Sequence, residues 1–364
     1  MSTFYDNECH TFPGKIGVIV NSASVNEDIF HSADRLIRKY GSDKIIIAIW
    51  PEDFMDEQDK MIDTVIDLAE DSEIRALVIN HAVPGTNAAI DRLKEIRDDV
   101  FIVYCSVHEA VQEALPRADL LFRPNITEMG RAMVKQARKQ KANAFVHYSF
   151  PRHMTITNWA DRLEIIRETC AEEGMEFVSA TALDPTAGGG LEAAQQFIID
   201  DVPRKVARYG EDTAFFSTSC QLQTPLIRAV IDCHAIYPQP CCPSPLHGFP
   251  EALGINVDDS NKPLSAIISE ASHIAAEKNM TDRLSTWPVS AAVMFTNIGA
   301  EYAIKWIRGE IRKDRIDDRF LDDCMNSCVK EIVGEGVEVE LMSYEENGAV
   351  EEKYKLLSMG YLDF

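Results

Sequence analysis

Cationic side chains are scarce in this 364-residue sequence: 36 Lys and Arg stand against 59 Asp and Glu, a formal net charge of −23. A surface of that sign repels phosphate backbones and anionic headgroups, so neither nucleic acid nor membrane is expected as a direct partner. No apolar run approaches the roughly 20 residues that a membrane-spanning helix needs. The opening stretch, MSTFYDNECHTFP, has neither a basic n-region nor an apolar h-region. No secretory signal is therefore read, and a cytoplasmic setting is expected. The nine cysteines are odd in number and scattered, which in that setting reads as reduced thiols rather than a disulfide framework. Neither a G-x-S-x-G elbow nor an H-E-x-x-H helix is present, and no activated nucleophile is named. No cofactor is expected.

What is present is a long alternation of strand and helix signals. The apolar, β-branched run KIGVIV (15–20) leads into Asn21 and Ser22, then into a helical pattern that stops at Gly41. KIIIAIW (44–50), IRALVIN (74–80), VFIVYCS (100–106) and ADLLFR (118–123) follow, each separated by helix-length amphipathic sequence. The pattern restarts with AFVHYSF, MEFVSATAL (175–183) and TAFFSTS (213–219). Near-continuously apolar strands between helices imply parallel sheets covered on both faces. The fold class expected is α/β, with two doubly wound parallel-sheet lobes joined by a hinge. Residues 1–125 with part of 285–364 would form the first lobe and 126–284 the second, consistent with a length too great for one core. Residues 237–254 hold five prolines and read as a loop. Two long helices then follow, the second carrying Ala and Gly that would permit close packing, and the tail reads as a β-hairpin around Glu346, Asn347 and Gly348.

Open α/β sheets bind ligands outside the carboxyl ends of their strands. Those ends are polar almost throughout: Asn21, Ser22 and Ser24; Asn80, His81 and Thr86; Cys105 and Ser106; Asn125; His147, Ser149, Arg152 and His153; Asp184 and Thr186; Ser217, Thr218, Ser219 and Gln223.

The order opening with KIGVIVNSASVNED and crossing at RPNITEMG resembles the type I periplasmic-binding-protein superfamily, which includes LacI-type sensor domains and basic-membrane-lipoprotein nucleoside binders. The run NAFVHYSFPRHM to ADRLEIIRETCAEEGMEFV, followed by EAAQQFIIDDVPRKVARYGEDTAFFSTS, is similar to a bacterial family within that fold, some of whose members carry a provisional transcriptional-regulator label. The resemblance implies a two-lobed ligand-binding fold and supplies no established reaction or ligand. Only about 14 residues precede the first strand, so the helix-turn-helix of LacI-like repressors is not read, nor is the leader of exported binders.

Each candidate has a plainer structural role beside its functional one. Ser24 or Asn26 would cap the first helix as readily as touch a ligand. Arg152 is either a bidentate clamp for an anion or the partner of a surface carboxylate. Gly188, Gly189 and Gly190 ahead of a helix read as a flexible connection before a phosphate cradle. Cys233, His234, Cys241, Cys242 and His247 contain adjacent cysteines, which fit a zinc knuckle poorly, and no metal is expected. Cys105 and Cys220 are expected to be buried, inert thiols.

The expected function is binding or sensing of a small polar metabolite held between the lobes. Its ligand set is Asn21, Ser22, Asn80, His81, Ser106, His147, Ser149, Arg152, His153, Asp184, Thr186 and Ser219. Two other classes stay open: an enzyme acting on an amino-acid-like or sugar-like metabolite, and a ligand-responsive regulatory partner without its own DNA-binding domain. A homodimer or a protein partner would suit either sensing role.

Overall fold

A computed structural model of the chain describes residues 11–22, 27–51, 56–155, 157–257 and 262–364. Ser24 and Asn26, read above as caps, lie outside these residues. The first pass along the chain gives β1 (Lys15–Val20), α1 (Glu27–Tyr40), β2 (Ile45–Ile49), α2 (Gln58–Glu70), β3 (Ile74–Asn80), α3 (Thr86–Lys94), β4 (Phe101–Cys105), α4 (Val111–Ala114) and β5 (Leu120–Pro124). The second gives α5 (Ile126–Lys139), β6 (Ala144–Ser149), α6 (Pro151–Met154), α7 (Thr157–Glu172), β7 (Glu176–Thr181), α8 (Gly190–Tyr209), β8 (Thr213–Ser217), α9 (Gln223–Asp232), α10 (Phe249–Leu253), α11 (Leu264–Glu277) and the short β9 (Ser285–Thr286). The chain finishes with α12 (Ala291–Ile307), α13 (Asp318–Val333), β10 (Val339–Glu346), β11 (Ala349–Met359) and β12 (Leu362–Asp363). Residues 1–124, 291–328 and 340–357 form one compact unit, and 125–290, 329–339 and 358–364 form another.

The first unit is built on a seven-stranded sheet of order β10-β11-β5-β4-β3-β1-β2. The pairings of β1 with β2 and β3, of β3 with β4, of β4 with β5 and of β5 with β11 are all parallel. Because side chains alternate across a strand, each strand feeds two cores. Ile19, Leu77, Ile79, Ile102, Tyr104 and Leu121 pack on Met61, Val65, Leu68, Ile90 and Leu93 of α2 and α3. On the other face α12 lies close: Phe295 stacks on Phe122 at 5.2 Å, and Tyr302 sits 6.1 Å from Phe101. Gly299 makes that approach achievable, since a Cβ there would stand 2.9 Å from Val103 Cγ1. The tail is a hairpin whose turn places Asn347 and Gly348 at positive φ (52° and 80°), the combination that Asn-Gly accepts at low cost. Its second strand, β11, adds to the first unit's sheet beside β5.

The second unit has a parallel sheet of order β7-β6-β8. Phe145 and Phe216 face α5 and α7 with Met133, Val134, Ile166 and Cys170. Val146, Tyr148 and Phe215 face the opposite way, against Ile198 and Val202 of α8 and Leu226, Ile227 and Val230 of α9. Asn125 caps α5, its Oδ1 accepting from the Glu128 amide at 3.2 Å. The proline-rich segment holds a helix that its composition did not announce. Pro250 occupies the first turn of α10, where no intrahelical N–H partner is required of it.

His147, one of the expected ligand set, is a core side chain. It lies mid-strand in β6, fully buried, with Phe216 at 5.5 Å and Phe177 at 6.5 Å. Neither ring nitrogen has a hydrogen-bond partner. Burial, reinforced by the charge of Arg162, lowers its pKa to about 3, so it is a neutral core side chain.

Two expectations follow. Gly299→Ala gains helix propensity but overpacks the sheet, and should destabilise the protein by about 1–2 kcal/mol in urea unfolding, with Gly299→Leu costing more; an unchanged midpoint would show that α12 has room. His147 takes up a proton in the unfolded chain below the ordinary histidine pKa of roughly 6.5 and refuses it in the folded protein down to about 3. Its contribution therefore favours folding above that window and is lost as pH falls through it. His147→Phe should shallow the acid-side decline of the unfolding free energy by about 1.4 kcal/mol per pH unit near pH 5. Parallel wild-type and variant profiles would contradict that placement.

Candidate functional site

In the first unit the carboxyl ends of β1, β3 and β4 bring three of the expected residues into a strained arrangement. His81 and Ser106 both adopt positive φ, 63° and 49°, directly after β3 and β4. Side chains other than glycine enter that region at a cost, and such strain recurs at functional sites. Backbone bonds hold the two turns: the Ala82 amide donates to Cys105 O at 3.0 Å and the His108 amide to Ala82 O at 2.9 Å. His81 Nδ1 lies 3.0 Å from Asn21 Oδ1, and its ring meets His108 edge-on at 4.7 Å. Ser22 is half-buried beside Asn21.

Other polar strand ends serve the fold. Asn80 is fully buried and donates to Ala292 O at 3.0 Å and to Thr296 Oγ1, anchoring the first turn of α12. Its amide nitrogen is thus engaged by α12. The amino end of α3 is occupied by Glu109, whose Oε1 accepts from the amides of Gly85 (3.1 Å) and Asn87 (3.0 Å), as the helix dipole favours. Cys105 is buried as expected, and burial pushes its thiol pKa up.

In the second unit the carboxyl ends of β6 and β7 pair two expected residues. Arg152, on α6, grips Asp184 in a fork: Nε to Oδ2 at 2.8 Å and Nη2 to Oδ1 at 3.0 Å. Asp184 Oδ1 also accepts from the amide (3.0 Å) and hydroxyl (2.9 Å) of Thr186. The guanidinium, with help from the Thr186 donors, holds the Asp184 carboxyl below its ordinary range, so it stays ionised. Arg152 is more than half exposed, and its fork leaves further N–H donors unused. Ser149 ends β6 with a little surface exposed.

His153 turns inward, with Nδ1 2.8 Å from Thr218 Oγ1 and its ring packed on Phe150 (3.9 Å) and Trp159 (4.4 Å). Desolvation first, and the charge of Arg152 second, lower its pKa to about 4. It supports the α6 turn. Ser219 is nearly buried, its amide donating to Ser217 Oγ at 3.3 Å and its carbonyl accepting from Gln223 Nε2. It too is a turn residue. Gly188 and Gly190 have open space where a side chain would go, and Gly189 is the N-cap of α8.

Reading along the chain missed one cluster. Cys220, expected to be a buried inert thiol, is exposed, and it lies 3.3 Å from Cys241 Sγ and 3.9 Å from Cys242 Sγ. His247 Nε2 is 3.8 Å from Cys241 Sγ. Cys233 and His234, adjacent in sequence to that set, are not among the gathered ligand atoms. Thiol donation from Cys220 and Cys241, then the fields of His247 and Arg162, hold the Cys242 thiol well below its ordinary value. No described cysteine forms a disulfide. A recess among Lys94, Arg97, Asp119 and Lys313 opens at the amino ends of β4 and β5, the edge away from the strand ends described above. Its cations are engaged: Lys313 pairs with Asp119 at 3.2 Å and Arg97 with Asp99 at 3.0 Å.

Comparison with known structures supports the fold. A protein from Clostridium difficile 630 described as a putative transcriptional regulator matches with a TM-score of 0.84 at 20% identity, covering 97% of this chain and all of that one. A sugar ABC transport substrate-binding protein from Bordetella parapertussis 12822 matches at TM-score 0.56 and 11% identity, covering 96% of this chain and 89% of that one. A periplasmic solute-binding protein from Actinobacillus succinogenes 130z, solved with bound D-allose, matches at 0.53 and 11% identity, covering 82% and 94%. The architecture is thus the periplasmic-binding-protein-like α/β fold. No described helix is long and apolar enough to cross a membrane. Two proteins of Treponema pallidum (strain Nichols), each described as uncharacterized, share 32% identity over 164 residues and 28% over 176. The first alignment covers 45% of this chain and 76% of its relative, the second 47% and 80%. The family model described as "Protein of unknown function (DUF3798)" matches residues 14–285, and the chain belongs to that family.

Proposed function

We propose that this protein binds a small, hydroxyl-bearing polar metabolite, and that the Arg152–Asp184 fork is its principal polar contact. The exposed, doubly bonded fork at the carboxyl ends of β6 and β7 carries the reading. An ionised carboxylate locked beside a guanidinium offers acceptors and donors side by side, the complement of neighbouring hydroxyl groups. Thr186 and Ser149 extend that set, and Asn21, Ser22, His81 and Ser106 are the corresponding polar groups of the first unit. Bound sugars in structures of the same fold support testing monosaccharides first.

A sensing output is the second part of the proposal, favoured by the regulator description of the structural neighbour from Clostridium difficile 630. With a net charge of −23 the output would run through a protein partner rather than through DNA held directly.

The test is a thermal-shift screen of monosaccharides, polyols, nucleosides and amino acids, followed by calorimetry on any compound that raises the melting temperature. A polar metabolite should stabilise the wild type. Arg152→Ala should weaken its binding at least tenfold, while Lys278→Ala, at an exposed position elsewhere in the second unit, should leave it unchanged. Equal affinities in wild type and Arg152→Ala would remove the fork from the site. Conversion of the bound compound to a product would replace binding with catalysis.

A further inference from the structure

We infer that Cys220, Cys241, Cys242 and His247 form a binding site for a thiophilic divalent cation of the zinc class. Three of these residues lie within seven positions of one another, but the fourth is 21 residues upstream of Cys241, so the arrangement is a product of the fold. Its origin is a crossover connection. β8 ends at Ser217 and the chain reaches Cys220, then returns along α9 and re-enters the sheet edge at Ile236. Ile236 bridges Ala214 in parallel, with the Phe215 amide donating to Ile236 O at 2.9 Å and the Ile236 amide to Thr213 O at 3.0 Å. A parallel return delivers the following residues to the carboxyl edge it left. Cys241 and Cys242 arrive there opposite Cys220.

The geometry of Cys220, Cys241 and His247 suits three corners of a tetrahedral ion, with the Cys242 sulfur beside those of Cys220 and Cys241 as the candidate fourth ligand. With zinc–sulfur bonds of about 2.3 Å, ligand sulfurs at the corners of a tetrahedron stand about 3.8 Å apart. Here the three sulfur separations are 3.3, 3.9 and 3.9 Å, and Cys241 Sγ stands 3.8 Å from His247 Nε2. The donor atoms of Cys220, Cys241 and His247 all lie within 4.8 Å of one another. These sulfurs are not bonded to each other, a disulfide being about 2.05 Å.

Charge supports the same conclusion. Arg162, on α7, is a buried guanidinium lying over the Phe216 ring at 5.0 Å. Among the described residues no carboxylate pairs with it, and its Nε has no hydrogen-bond partner. Three thiolates and a neutral imidazole around a divalent ion carry one net negative charge, which this buried cation balances. The backbone is prepared as well. Pro240 and Pro243 flank the cysteine pair, and the Ser244 turn, with its carbonyl accepting from the His247 amide at 3.2 Å, sets the histidine. The ion would fasten the proline-rich segment to the end of β8.

The test uses the full chain purified under reducing, anaerobic conditions. Native mass spectrometry after incubation with zinc and desalting should show one ion per chain, and cobalt should give thiolate-to-metal charge transfer with the ligand-field bands of a tetrahedral site. Cys220→Ser and His247→Ala should each weaken zinc retention at least tenfold, while Cys233→Ser should not. Zinc should also slow alkylation of Cys220, Cys241 and Cys242 in the wild type by at least tenfold by peptide mapping, a readout independent of whether a variant folds. Absence of zinc uptake by the reduced wild type, or a cobalt spectrum without thiolate bands, would overturn the inference.

Discussion

Parallel strands buried on both faces constrain everything else in this molecule. In each unit the sheet is covered on both sides, so alternate residues of a strand such as β6 enter different cores. Polar side chains inside such a layer must find partners or lose their charge. His147 does the latter, and Arg162 meets the same demand with an aromatic face. Elsewhere the chemistry is pushed to the strands' carboxyl ends, where the chain leaves the sheet and the backbone meets solvent.

At those ends a polar residue has two distinct physical uses. One is to satisfy the backbone groups that a turn or helix terminus leaves open, as Asn125 does for α5, Glu109 for α3 and Gln223 for the turn after β8. The other is to remain turned outward with donors and acceptors to spare. Arg152 with Asp184 is of the second kind, and the strained turns at His81 and Ser106 hold Asn21 and His81 in fixed relation. Residue type alone does not separate the two uses. Asn80 and Asn21 both end strands of one sheet, yet Asn80 is spent on α12 because a helix passes directly over it.

The sulfur cluster follows from the rule that positions the strand ends. A crossover helix returns the chain parallel to its starting strand, so whatever follows the second strand emerges beside whatever followed the first. Cys220 and the Cys241–Cys242 pair are brought together by that return. Neighbours along the chain, Cys233 and His234, remain on the far side of the turn that closes α9.

The sequence by itself determined the class of this fold, because burial on both faces writes itself as continuous apolar runs between amphipathic helices. It also announced the closing hairpin, since Asn-Gly at that position suits a turn that few other pairs tolerate. Only the tertiary structure decided that the hairpin's second strand joins β5, that residues 329–339 and 358–364 belong to the second unit, and which polar strand ends face outward. It alone paired Arg152 with Asp184 across 32 positions and Cys220 with Cys241 across 21. The reason is physical: periodicity records which face of an element is buried, while a contact between distant segments depends on how the sheet orders its strands, and no local pattern carries that order.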